Sequence, residues 1–189
     1  RRRHTRCLSD WSSDVCSSDL AVLTTTTGSA DSTLVVKNGT SFGFSSGYKG
    51  WYVCQFKASE VTNCDIKVGI VDGATNQNGI YFQKATGAAT VALKAAAGGV
   101  ATTLVSNVTT LVAATNVELG LYYDGTDLLV YVNNAAVARI AGLSMATTQI
   151  TPSFQIVNST GVARTLTLDY VLVAEEGDRN NSGLSTSRF

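Results

Sequence analysis

Residues 116–141, NVELGLYYDGTDLLVYVNNAAVARIA, decide the fold. Val117, Leu119, Leu121 and Tyr123 share one parity, and Glu118, Gly120 and Tyr122 share the other. That period of two is the signature of a strand with one face buried. Asp124-Gly125-Thr126-Asp127 interrupts it, LLVYV resumes it, and Asn133-Asn134 interrupts it again before AVARIA. Asn accepts the positive φ that a two-residue hairpin turn demands. With Asn133-Asn134 as the turn, Val132 faces Ala135, Val130 faces Val137 and Leu128 faces Arg139. Three consecutive antiparallel strands are predicted, over 116–123, 127–132 and 135–141.

The same alternation runs outward from this core. GYKGWYVCQFKAS places Tyr52, Cys54 and Phe56 on one face, and CDIKVGIVD does so for Ile66, Val68 and Ile70. NGIYFQK and TVALKAA form a further pair across residues 85–89, and Gly98-Gly99 stops KAAAGGVATT from forming more than a helical turn. In QITPSFQIVN the core parity is Ile150, Phe154 and Ile156. Pro152 has no N–H for a ladder, so its strand starts there or lies on an edge. In RTLTLDYVLVAEE, Leu166, Leu168, Tyr170 and Leu172 read as one face. A hairpin through 50–70, with SEVTN as its loop, sets Cys54 about 13 Å out of register with Cys64, too far for a disulfide. Two buried free thiols are expected instead. Ten to twelve strands and no helix define an all-β fold, an antiparallel sandwich of two packed sheets.

The first twenty residues, RRRHTRCLSDWSSDVCSSDL, break with this pattern. Back-translated, Arg1–Arg6 and Asp10–Leu20 match the two constant parts of a short-read sequencing-library adapter, with Cys7, Leu8 and Ser9 in the variable slot. Residues 1–20 are therefore expected to be an artefactual leader, 21–177 the sandwich domain, and the polar stretch 178–189 a disordered tail. On that reading the N-terminal strand or strands of the domain are missing. Without the leader, ten Lys+Arg face eleven Asp+Glu, so no basic field exists for nucleic acid or an anionic membrane. His4 is the single histidine and lies in the leader. Triads and metal sites built on histidine are thereby excluded for the rest.

The order GWYVCQFKASEVTNCDIKVGIVD, NGIYFQK, VELGLYYDGTDLLVYVNNAAVARI, QITPSFQIVN and RTLTLDYVLVAEE resembles the jelly-roll domain of the concanavalin A or laminin G-like class. More narrowly, it is similar to virion proteins of tailed bacteriophages, over about residues 30–177. The chain departs from that pattern at Asn133-Asn134, where Asp-Gly or Asn-Gly is usual. The resemblance implies a non-enzymatic structural component of a phage particle, assembled in the bacterial host cytoplasm. Its partners would be other virion proteins or copies of itself, with no nucleic acid and no membrane. The alternative is a lectin-like module that binds polysaccharide.

Candidate sites are sparse. Glycoside hydrolysis needs two carboxylates flanking one bond, and no E-x-D-x-E pattern occurs. The loop VDGATNQNG offers Asp72, Asn76 and Asn78 as oxygen ligands for calcium, the one cofactor considered, although Asp, Asn and Gly also make plain turns. Trp51, Tyr81 and Tyr122 each lie on the parity opposite the core, where exposed rings stack on sugars or meet a neighbouring subunit. For a virion protein the subunit contact is the more economical reading.

Overall fold

The computed structural model describes residues 21–36, 42–44, 49–73, 78–143 and 150–175. The expected leader and tail lie outside these residues, as does Asn76. Among the described residues there are twelve strands and no helix. In chain order they are β1 (Ala21–Thr24), β2 (Ser32–Val36), β3 (Gly50–Ala58), β4 (Cys64–Val71), β5 (Gly79–Lys84) and β6 (Thr90–Ala97). These are followed by β7 (Val100–Thr110), β8 (Val117–Tyr123), β9 (Leu128–Val132), β10 (Ala135–Ile140), β11 (Thr151–Asn158) and β12 (Thr165–Glu175).

Two six-stranded sheets result, sheet I in the order β1-β12-β3-β8-β9-β10 and sheet II in the order β2-β11-β4-β5-β6-β7. Their strand pairs are antiparallel throughout. The fold is the expected all-β jelly-roll sandwich. The inward parities read from the sequence fill the space between the sheets: Tyr52, Cys54, Phe56, Leu119, Leu121 and Tyr123 from sheet I, and Ile66, Val68, Ile70, Ile80 and Phe82 from sheet II, all essentially without solvent contact. Asn133 and Asn134 take φ of 48° and 65°, as their hairpin turn requires. The Asn133 side-chain oxygen also accepts the Glu118 N–H at 3.0 Å, which ties the turn to β8.

Four local expectations are corrected. Cys54 and Cys64 do not share a hairpin, because β3 lies in sheet I and β4 in sheet II. Both thiols are free and buried, and burial pushes Cys54 up to about 12. Of the two placements expected for Pro152, the start of a strand holds, since it is the second residue of β11, and the edge does not, since β11 sits between β2 and β4. Its pairing with β2 begins one residue later, at Ser153, so the missing N–H removes no rung on that side. In β12 a bulge between Leu168 and Tyr170 reverses the parity. Leu166 and Leu168 stay inside, but Tyr170 and Leu172 turn outward and are 37% and 54% exposed.

The fourth correction concerns β10. A bulge at Val137 moves the register so that Val130 faces Ala138 and Leu128 faces Ile140. Without it Arg139 would enter the core beside Leu128, where an unpaired guanidinium is strongly unfavourable. With it, Arg139 Nε donates to Asp127 Oδ2 at 2.8 Å, and Gly142 N donates to Asp127 Oδ1 at 2.9 Å.

Two outcomes follow from this packing. Leu119→Ala should lower stability by about 2–5 kcal/mol through loss of contacts and a cavity, whereas Val100→Ala, at a position 72% exposed, should leave the urea midpoint nearly unchanged. The Gly142 N–H and then Arg139 hold the Asp127 carboxyl below its ordinary value. Its stabilising effect is therefore present above the unfolded carboxyl pKa of about 3.9 and fades as pH falls through the lower folded value. Urea midpoints measured down this acid range should fall less steeply in Asp127→Asn than in the parent.

Candidate functional site: the aromatic outer face of sheet I

The pleat of β3 sends Trp51, Val53, Gln55 and Lys57 outward while their neighbours enter the core. Because β3 is flanked by β12 and β8, each of these residues heads a row crossing several strands. The first row is Ala174, Trp51, Tyr122, Leu129 and Arg139. The second is Leu172, Val53, Gly120, Tyr131 and Ala136, and the third is Tyr170, Gln55 and Glu118. Four adjacent strands, β12, β3, β8 and β9, thus each present one outward aromatic: Tyr170, Trp51, Tyr122 and Tyr131.

Trp51 and Tyr122 are direct cross-strand partners with ring centroids 5.1 Å apart and planes inclined by 30°. Rings of this size cannot lie side by side in one plane at that separation, so they overlap in an offset stack. Each keeps one face free of the other. On the far side of Trp51 the register partner is Ala174, a residue with only a methyl side chain. Gly120 keeps the middle row low: a Cβ there would lie 3.3 Å from the Tyr131 Cβ and 3.6 Å from Val53 Cγ2.

At the other end of the face the Tyr170 hydroxyl reaches across β3 to donate to Glu118 Oε2. Partial burial and that carboxylate push the Tyr170 phenol up to about 12, the direction opposite to what a phenolate nucleophile needs. Several other acids serve local structure, and Asp65 on sheet II accepts the Gln83 amide at 2.8 Å. Asp31 holds the turn at Thr26, Glu60 caps Asn63, Asp124 caps its turn through Thr126 and Asp127, and Glu175 accepts Gly43 N–H.

The three aromatics read from the sequence do not come together. Trp51 and Tyr122 do, but Tyr81 lies on the outer face of sheet II, 7% exposed, clustered with Val71 and Ala96 and with Lys67 Nζ 6.0 Å from its ring centre. Of the calcium candidates, Asn78 donates its amide to Asp72 Oδ2 at 2.7 Å and accepts Gly98 N–H on its Oδ1 at 2.9 Å. Those contacts are the ones a hydrogen-bonded turn makes. Among the described residues no group of three or more His, Cys, Asp or Glu is placed to hold a metal ion.

Glu118, Gly120, Tyr131, Tyr170 and Leu172 join the face without having been singled out from sequence. For Glu118, Gly120 and Tyr131 the signal was present as the outward parity of β8 and β9. For Tyr170 and Leu172 it was hidden by the β12 bulge.

No protein-family model and no curated protein matches this chain in sequence. Solved structures match its fold. A β-glucanase of Bacillus licheniformis superposes with a TM-score of 0.62 at 14% identity, covering 81% of this chain and 77% of that one. The carbohydrate recognition domain of Emp46p in its potassium-bound form gives 0.58 at 10% identity, over 79% and 81%. The carbohydrate-binding module CBM66 of Bacillus subtilis gives 0.54 at 12% identity, over 79% and 84%. These likenesses establish the concanavalin A-like jelly roll, a class whose members here include both binding domains and an enzyme.

The Tyr170–Glu118 contact is open to direct test. Glu118→Gln should bring the Tyr170 phenol down toward its ordinary value, because a neutral amide no longer repels the phenolate. Ultraviolet phenolate titration of the parent, Glu118→Gln and Tyr170→Phe isolates the residue, and an unchanged Tyr170 transition in Glu118→Gln would contradict the contact.

Proposed function

We propose that this domain is a non-enzymatic carbohydrate-binding module whose binding surface is the outer face of sheet I. The observation that carries this reading is the offset stack of Trp51 on Tyr122, with the small Ala174 as the other neighbour of Trp51 and a hydrogen-bonding Glu118–Tyr170 pair on the same face. Sugars have an apolar ring face bordered by hydroxyls, and they are matched by an aromatic face bordered by acceptors and donors. The two carbohydrate-binding folds among the similar structures support the reading. The engagement of Asp31, Glu60, Asp124 and Glu175 in turns and backbone contacts and of Glu118 with one tyrosine supports binding over hydrolysis, which needs a general acid and a second carboxylate across one bond.

A structural role in a phage particle, the role implied by the resemblance, is favoured by a different observation. Val22 and Leu172 are apolar and more than half exposed on this same face, which suits contact with a neighbouring protein or a second copy. The two readings separate in one experiment. Affinity electrophoresis of the full chain through gels containing a panel of neutral and acidic polysaccharides should show retardation by at least one of them. Trp51→Ala should weaken that binding by about tenfold or more, equivalent to about 1.4 kcal/mol, and Tyr81→Phe should not. Absence of retardation across the panel, with a dimer or larger species in sedimentation, would overturn the carbohydrate reading in favour of the structural one.

A further inference from the structure

The outward aromatics of sheet I are strung across the strands instead of gathered at one point. Tyr170, Trp51, Tyr122 and Tyr131 stand on four consecutive strands. At a strand spacing of about 4.8 Å, and with Tyr170 and Tyr131 in adjacent rows about 6.8 Å apart, the Cα positions at the two ends lie about 16 Å apart. A single pyranose ring covers one aromatic face. Three aromatic positions distributed over this length, the stacked Trp51–Tyr122 pair, Tyr170 and Tyr131, match a ligand several rings long, lying across the strands. Small side chains at Ala174 and Ala136 border the first row at β12 and the second row at β10.

The charge on the face selects among such ligands. Within these three rows the ionisable side chains that are not tyrosines are Glu118 and Arg139. Arg139 is committed to Asp127, so Glu118 presents a carboxylate to the ligand without a free cation beside it in those rows. Lys57 follows one row beyond Gln55, and the exposed Lys49 precedes Trp51 by two residues on the same parity, so these cations flank the aromatic band. Hydroxyl groups can donate to Glu118, whereas a uronate or sulfate group is repelled by it.

From this juxtaposition we infer that the face takes an internal stretch of a neutral, linear polysaccharide, running across β12, β3, β8 and β9, and discriminates against polyuronates. This inference rests on the carbohydrate-binding reading and refines it. Trp51 anchors one sugar, Tyr122 backs the anchor, and Tyr131, two strands and one row from Trp51, holds a sugar further along the chain.

Calorimetric titration of the full chain with neutral gluco-, manno- and xylo-oligosaccharides, from di- to hexasaccharide, tests it, with polygalacturonate as the charged comparator. For the series that binds, affinity should climb by about tenfold or more between di- and hexasaccharide, one stacking contact being sufficient for that gain. Capping either chain end should leave hexasaccharide affinity unchanged. Tyr131→Ala should weaken hexasaccharide binding several-fold while sparing the disaccharide, and Trp51→Ala should weaken both. Glu118→Gln should narrow the gap between neutral polymer and polygalacturonate. Disaccharide binding as tight as hexasaccharide, dependence on a free chain end, or polygalacturonate binding as tight as the neutral polymers would overturn this inference and leave carbohydrate binding intact. Failure of every glycan to bind would overturn both together.

Discussion

The pleat of β3 is the constraint on which both the core and the candidate site depend. β3 is hydrogen-bonded on both sides, to β12 and to β8, and its alternate side chains serve opposite purposes. Tyr52, Cys54 and Phe56 are sealed against sheet II, while Trp51, Val53 and Gln55 head the outward rows. A one-residue slip would exchange the two sets, burying Gln55 and exposing three core residues at once. The strong apolar pressure on the inner set therefore fixes the outer set, and the aromatic face inherits its precision from the core behind it.

Two bulges adjust this plan where strict alternation would fail. In β12 the parity change after Leu168 keeps Val173 inside and releases Tyr170 and Leu172 to the outer face. In β10 the extra residue at Val137 keeps Ala138 and Ile140 inward and delivers Arg139 to Asp127. Both bulges lie on strands that border the aromatic rows, and the first of them creates the Tyr170–Glu118 contact. Bulges in antiparallel sheets commonly re-aim a side chain in this manner, and here the re-aimed groups lie on the proposed binding face.

The outer faces of the two sheets differ in kind. On sheet II Tyr81 is closed in by Val71 and Ala96 and lies under Lys67. On sheet I the rings are half-buried, stacked in one pair and spread over four strands, and a carboxylate and a phenol join across β3. Both arrangements satisfy the same parity rule along their strands. Among the described residues the outward rings of sheet I keep more solvent exposure than Tyr81, which is why the functional reading rests there.

The amino-acid sequence by itself determined nine of the twelve strands, the inward residues where no bulge intervenes, and the turns between them; β1, β2 and β7 were not placed from it. The alternation in NVELGLYYD, the positive-φ residues Asn133-Asn134 and the Gly98-Gly99 break are local signals, and local backbone geometry answers to them directly. The outward parity of Trp51 and Tyr122 was equally legible. What the tertiary structure decided was which of these strands became neighbours. β3 and β8 are separated by more than fifty residues and four intervening strands, so the meeting of Trp51 with Tyr122 arises from sheet order and register, quantities set by the packing of the whole core. The same holds for the separation of Cys54 from Cys64 and of Tyr81 from the other two rings, because assignment to one sheet or the other is a long-range choice. The bulges fall in the same class: parity along a chain is local, but the cost of burying Arg139 or of mispacking β12 is felt only against the opposite sheet.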